Sequence, residues 1–82
     1  MPLRHARPVR LAASVRNRLK TIARGHKSPH RDRLRAQIVL DAAPRRSNAR
    51  IARDRHVDED TVRKWRDRFA DKGLAGLVDL PP

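Results

Sequence analysis

The side chains with most to offer chemically lie between Ser47 and Arg66, in the run SNARIARDRHVDEDTVRKWR. Read as a helix from Asp58 onward, Val62, Trp65 and Phe69 fall at i, i+3 and i+7 on one side. Glu59, Asp60, Arg63, Lys64 and Asp67 are then left on the outer side. An arginine so placed presents a planar fork that donates two parallel hydrogen bonds to O6 and N7 of a guanine. Lys64 suits the same guanine edge or a phosphate, and Glu59 can accept from cytosine N4. Arg63, Lys64 and Glu59 are therefore the candidate base readers. Ser47, Asn48, Arg50, Arg53 and Arg66 are the candidate phosphate contacts. Asp58 and Asp60 serve the positive end of the helix dipole. Three acids at that tip also repel phosphate, which leaves open a reading in which this helix touches no bases.

Catalytic chemistry has less to stand on. Asp58, Glu59 and Asp60 are consecutive at a helix start and do not form a spaced carboxylate set. There is no cysteine, so neither a disulfide framework nor a thiolate site exists. His26 and His30 are four apart, but Pro29 intervenes and no third ligand is near, so no metal is expected. The expectation is a chain with no cofactor and no small-molecule substrate, which is not an enzyme by itself.

The elements that must position these residues are all helical. Residues 1–10, MPLRHARPVR, read as an extended basic arm, with Arg4, Arg7 and Arg10 suited to a minor groove. The same arm read as a disordered tail would add only affinity. Leu11, Val15, Leu19 and Ile22 mark one helical face, and Gly25 is a plausible stop. Ser28 can cap the next helix, with Pro29 in its first turn. Leu34, Ile38 and Ala42, widened by Val39, form a buried stripe that ends before Pro44. Ser47 caps a short helix to about Arg55, with Ile51 and Ala52 inward. His56-Val57 breaks the chain, and Asp58 caps the longer helix, Val57 and Val62 stapling its start. Gly73 sits at the expected C-terminal end, and Leu74, Leu77 and Leu80 suggest a last packed turn before Pro81-Pro82.

Ala52, Val57, Val62 and Trp65 together fit two short helices crossing around a tight turn: small at the crossing, apolar in the turn, anchored beyond it. The fold expected is all-α, a small helix-turn-helix bundle of four to five helices. The arm is 1–10, the helical domain 11–80, and the helix-turn-helix 47–72.

Charge narrows the partner. The 82 residues carry 21 Lys+Arg against 9 Asp+Glu, a net +12. A compact domain tolerates that self-repulsion best beside a polyanion. Residues 1–31 hold nine basic residues and no acid, whereas residues 47–82 hold eight basic and seven acidic. The front of the chain is the electrostatic glue. Double-stranded DNA is the expected partner, and a second copy of the chain is a further candidate. A membrane is not expected, because no apolar run approaches a span and the first helix lacks aromatics. Location in the cytoplasm, with the DNA, follows as an expectation.

The runs RLRAQIVLDA and ARIARDRHVDEDTVRKWRDRFADKGLAGLVD, and the closing LPP, resemble the N-terminal DNA-binding domain of bacterial insertion-sequence transposases of the mariner superfamily. The resemblance spans about residues 31–79, some three-fifths of the chain. It implies a homeodomain-like module that recognises terminal inverted repeats. A second helix-turn-helix and a catalytic domain with a carboxylate triad normally follow in that family, and the 82 residues contain neither. A truncated product, a fragment, or a free-standing helix-turn-helix regulator are the readings compatible with that. An RNA-binding or protein-docking helical module is the alternative of another class. The family favours Leu-Gly where this chain has Arg55-His56. His56 would take positive φ less readily than glycine. Arg55 would extend its charge into solvent where Leu is buried. Both changes are expected to weaken the domain or open its helix angle.

Overall fold

The structure is a computed structural model, and it describes residues 9–25, 27 and 29–77. Four α-helices follow one another: α1 (Ala13–Arg24), α2 (His30–Ala42), α3 (Asn48–Arg55) and α4 (Glu59–Lys72). A 3-10 turn, Gly73–Gly76, closes the series, and no strand occurs among the described residues. The all-α expectation is met. α2, α3 and α4 pack on one another pairwise, while α1 packs chiefly on α2.

The apolar spacing accounts for this packing. Leu19 of α1 is fully buried, with Leu11, Val15 and Ile22 packed beside it. Ile38, Val39 and Ala42 are buried on α2, and Ile51 and Ala52 on α3. Val62, Trp65 and Phe69 are buried on α4, one face of the helix as their spacing requires. Ala36 joins this core, although the stripe Leu34–Ile38–Ala42 omitted it, and Leu34 is only half-buried. Val9 lies in the stretch read as a free arm, yet it is buried in the core. A branched apolar side chain this close to Leu11 gains more by docking than by staying in water. Arg10 beside it is exposed. Arg4, Arg7, His26, Ser28, Leu80 and Pro81-Pro82 lie outside the described residues.

The helix ends show which signals acted. Ser47 caps α3, its Oγ accepting from the Arg50 amide at 3.1 Å. Asp58 occupies the N-cap of α4 in extended conformation, but its side chain makes no capping hydrogen bond. Its contribution is charge beside the helix dipole. Pro29 is the N-cap of α2 and does not enter its first turn; its carbonyl accepts from the Asp32 and Arg33 amides. Gly25 ends α1 at φ −70, a conformation open to any residue, so its stop does not depend on being glycine. Gly73 does need glycine, at φ 63 and ψ −145.

His56 takes the left-handed conformation, φ 59 and ψ 45, and its amide reaches back to the Ala52 and Arg53 carbonyls. That residue turns the chain from α3 into α4, with half-buried Val57 filling the corner. Over Trp65 lies the Arg35 guanidinium, 3.9 Å from the ring centroid, and Arg35 Nη1 also donates to the Leu77 carbonyl at 3.1 Å. Trp65 therefore joins α2, α4 and the terminal turn, and is covered on the side where a base would stack.

Two stability changes follow. Trp65→Ala is expected to cost about 3–5 kcal/mol, read by denaturant unfolding. His56→Gly should raise stability by about 0.5–1 kcal/mol by removing left-handed strain. An unchanged or lowered melting point for His56→Gly would show that its side chain holds the turn by contacts of its own.

Candidate nucleic-acid interface

α3 and α4 meet at the His56-Val57 corner, so the start of α3 and the outer face of α4 are the surfaces such a unit offers a duplex. On α4, Glu59, Asp60 and Lys64 are exposed, and Arg63 keeps 41% of its side chain in solvent. They lie opposite Val62 and Trp65, as the helical register requires. Arg63 Nη1 donates to Asp60 Oδ1 at 2.7 Å. Arg63 is thus already oriented by a carboxylate one turn back, with its other donors left over. An exposed pair of this kind adds little stability, so its consequence is mainly geometric. Lys64 Nζ lies over the Trp65 ring, 4.9 Å from the centroid.

At the start of α3, Ser47 and Arg50 are exposed. Arg50 is loosely paired with Asp54 at 3.8 Å. Asn48 is half-buried, its Oδ1 enclosed without a hydrogen-bond partner. Arg53 is exposed. Arg66 departs from this set. It is 2% exposed, and its Nη1 donates to the Arg46 carbonyl at 2.9 Å. Burial pushes its guanidinium below the ordinary arginine value, with the charge of Asp67 acting the other way. Arg66 cannot be a backbone contact: it falls on the inner side beside Trp65 and serves to join α4 to the turn before α3.

The feature missing from the sequence reading is Asp41. This carboxylate of α2 is 7% exposed. Arg55, at the end of α3, clamps it through Nε–Oδ2 at 2.7 Å and Nη2–Oδ1 at 3.0 Å. Arg46, in the turn between α2 and α3, adds a third bond at 3.3 Å. Arg55 was expected to carry its charge out into water; it turns inward instead, because a buried acid is waiting. The hydrogen bond to Asp41 holds the Arg55 guanidinium above its ordinary pKa, against the opposing effect of burial. One acid thus fixes both ends of the α3 segment. Through the Arg46 carbonyl, Arg66 of α4 is tied to the same place. The only hint in the sequence was an acid set between Ile38 and Ala42 in a stripe otherwise apolar.

Among the described residues, no group of three His, Cys, Asp or Glu comes together that could hold a metal ion. No described helix is long and apolar enough to cross a membrane. The model of the winged helix-turn-helix family matches residues 35–82. No curated protein and no solved structure matches the chain. The family's description includes a wing; residues 35–77, the described part of the match, are helices joined by short loops, with no strand among them.

Removing one member of the clamp leaves the other charges unsatisfied. Asp41→Ala is expected to cost about 2–3 kcal/mol, below the range for fully buried pairs because Arg55 is one-third exposed. Joint replacement, Asp41→Leu with Arg55→Leu, should recover most of that loss. Urea unfolding of the single and double variants measures the coupling; strictly additive losses would show that the pair is not the clamp described.

Proposed function

The chain belongs to the winged helix-turn-helix family, and from that premise we propose that it binds double-stranded DNA sequence-selectively, with α4 as the reading helix. In this reading the N-terminal half of α4 enters the major groove and α3 crosses the backbone. Arg63 reads a guanine, held in register by Asp60. Lys64 and Glu59 flank it. Ser47, Asn48, Arg50 and Arg53 meet phosphate oxygens, positioning the unit without carrying sequence information. The observation that supports this most is the placement of Arg63, on the solvent side of a helix whose opposite side is locked in the core.

A finer reading rests on the resemblance. The sites proposed are the terminal inverted repeats of an insertion sequence, and the module is the end-recognising part of a transposase. The role assigned to these residues is recognition and not catalysis. Location on the bacterial nucleoid belongs to the same proposal, as does pairing of two copies on a repeat.

Selection of bound duplexes from a random pool at moderate salt tests the reading. A single enriched site is expected. Enrichment of inverted-repeat ends would support the finer reading. On the selected duplex, Arg63→Ala should cost about 1–3 kcal/mol and relax preference at one base pair. Equal loss on every sequence would make Arg63 a phosphate contact, and a pool that never converges would end the sequence-selective reading.

A further inference from the structure

Two sets of cationic side chains in the folded chain differ in how they are neutralised. Arg35, Arg46, Arg50, Arg55 and Arg63 are each within 4 Å of an aspartate. Arg16, Lys20 and Arg24 of α1 and Arg45 of the α2–α3 turn have no such partner among the described residues, and all four are exposed. These ion pairs all lie within the α2–α4 unit, whereas α1 has none among the described residues; Arg53 of α3 and Lys64 of α4 are also exposed without an aspartate partner.

The arrangement on α1 is regular. Arg16, Lys20 and Arg24 are spaced i, i+4 and i+8, which puts them in a row along one side of α1, about 6 Å apart. α1 contains no acid. Arg16 and Lys20 also wall a groove of about 410 Å³, together with Leu11, Leu40, Ala43 and Pro44. Its far wall is the turn that carries Arg45 next and then delivers Ser47 and α3. Arg45 is held at φ 64, its amide bonded to the Ala42 carbonyl. A long charged side chain is strained there, where glycine or asparagine would be at ease. Arg45 follows Pro44 of that groove directly in the chain and leads on to Ser47 and the start of α3.

We infer that Arg16, Lys20, Arg24 and Arg45 form a second phosphate-binding surface, which grips the backbone of a DNA duplex beyond the part met by α3 and α4. The inference rests on the duplex-binding reading above. An unpaired cationic row at helical spacing is suited to sequence-independent phosphate contact, since it has charge and donors but no aligned acceptors. It is poorly suited to a lipid surface: the outward residues beside the row, Asn17 and Thr21, are polar, and no aromatic stands on α1 to enter a bilayer. Contact here lengthens the protein's track on DNA without changing which bases are read.

The test uses the whole chain, a duplex of mixed sequence, and vesicles of phosphatidylserine and phosphatidylcholine. The variant is Arg16→Gln, Lys20→Gln and Arg45→Asn together, with Arg16→Lys plus Arg45→Lys as its charge-keeping counterpart. Circular dichroism melting establishes that each is folded. For the wild type, the slope of log affinity against log salt should be steeper than about −3. In the neutralised variant it should become shallower by about 2 to 3, at about 0.9 per lost phosphate contact. The charge-keeping variant should keep the wild-type slope. A wild type with a shallow slope would defeat the duplex-binding reading itself. A steep wild-type slope left unchanged by neutralisation would overturn this inference alone. Vesicle binding that is lost in the neutralised variant, while the duplex slope stays, would reassign the surface to a membrane.

Discussion

The buried carboxylate of Asp41 is the point on which the α2–α4 unit turns. Taken from water alone, it would be expensive. Three hydrogen bonds from Arg55 and Arg46 offset that, and they come from the two ends of the α3 segment. An apolar contact at this place would tolerate small slides of α3 over α2. A two-pronged guanidinium–carboxylate contact fixes distance and plane together. The position of α3 relative to α2 is therefore set at both its ends. The Arg66 bond to the Arg46 carbonyl brings α4 into the same frame.

That frame explains why so small a core can suffice. Only Trp65 and Phe69 are aromatic, and the rest of the buried hydrophobic set is aliphatic or alanine. Polar ties supply the directionality that a core of Leu, Ile, Val and Ala lacks. Arg35 stacks on Trp65 and bonds to Leu77; Arg68 Nε donates to the Gly76 carbonyl at 3.1 Å. Gly76 can lie that close to α4 only without a Cβ, which would meet the Arg68 carbonyl oxygen at 2.4 Å. Several arginines thus act as fasteners. Net charge by itself overstates how much of the cationic surface faces outward as free charge. An unpaired row faces outward on α1, with Arg45 in the α2–α3 turn, apart from the α4 residue Arg63, which is already engaged by Asp60.

Much of the fold was legible in the residues. Val62, Trp65 and Phe69 could belong only to the inner face of one helix, and Ser47 could be recognised as a cap because its Oγ needs no distant partner. The break at His56-Val57 was legible too, and the resemblance, with Gly favoured at the place of His56, implied the positive φ found there. Arg63 and Lys64 followed by exclusion, as the basic residues left outside once the inner face was assigned. Arg66 and Arg55 were misjudged together. Each is a cation whose fate depends on a group distant in the chain, the Arg46 carbonyl and the Asp41 carboxylate. Local spacing has no term for such a group. Val9 escaped in the same way, because the basic residues around it suggested a free arm.

The sequence by itself determined helix type, the approximate extent of the helices, most of the inner faces and the excess of positive charge. These depend on periodicity, side-chain size and bonds that close within four residues. Only the tertiary structure decided which charges are used up inside and which remain for a partner. A salt link between α2 and α3 forms when packing brings Asp41 and Arg55 within 3 Å across fourteen positions of chain. Pairing of charges falls off steeply with distance, so the same composition can leave a quite different face positive until the helices are in place.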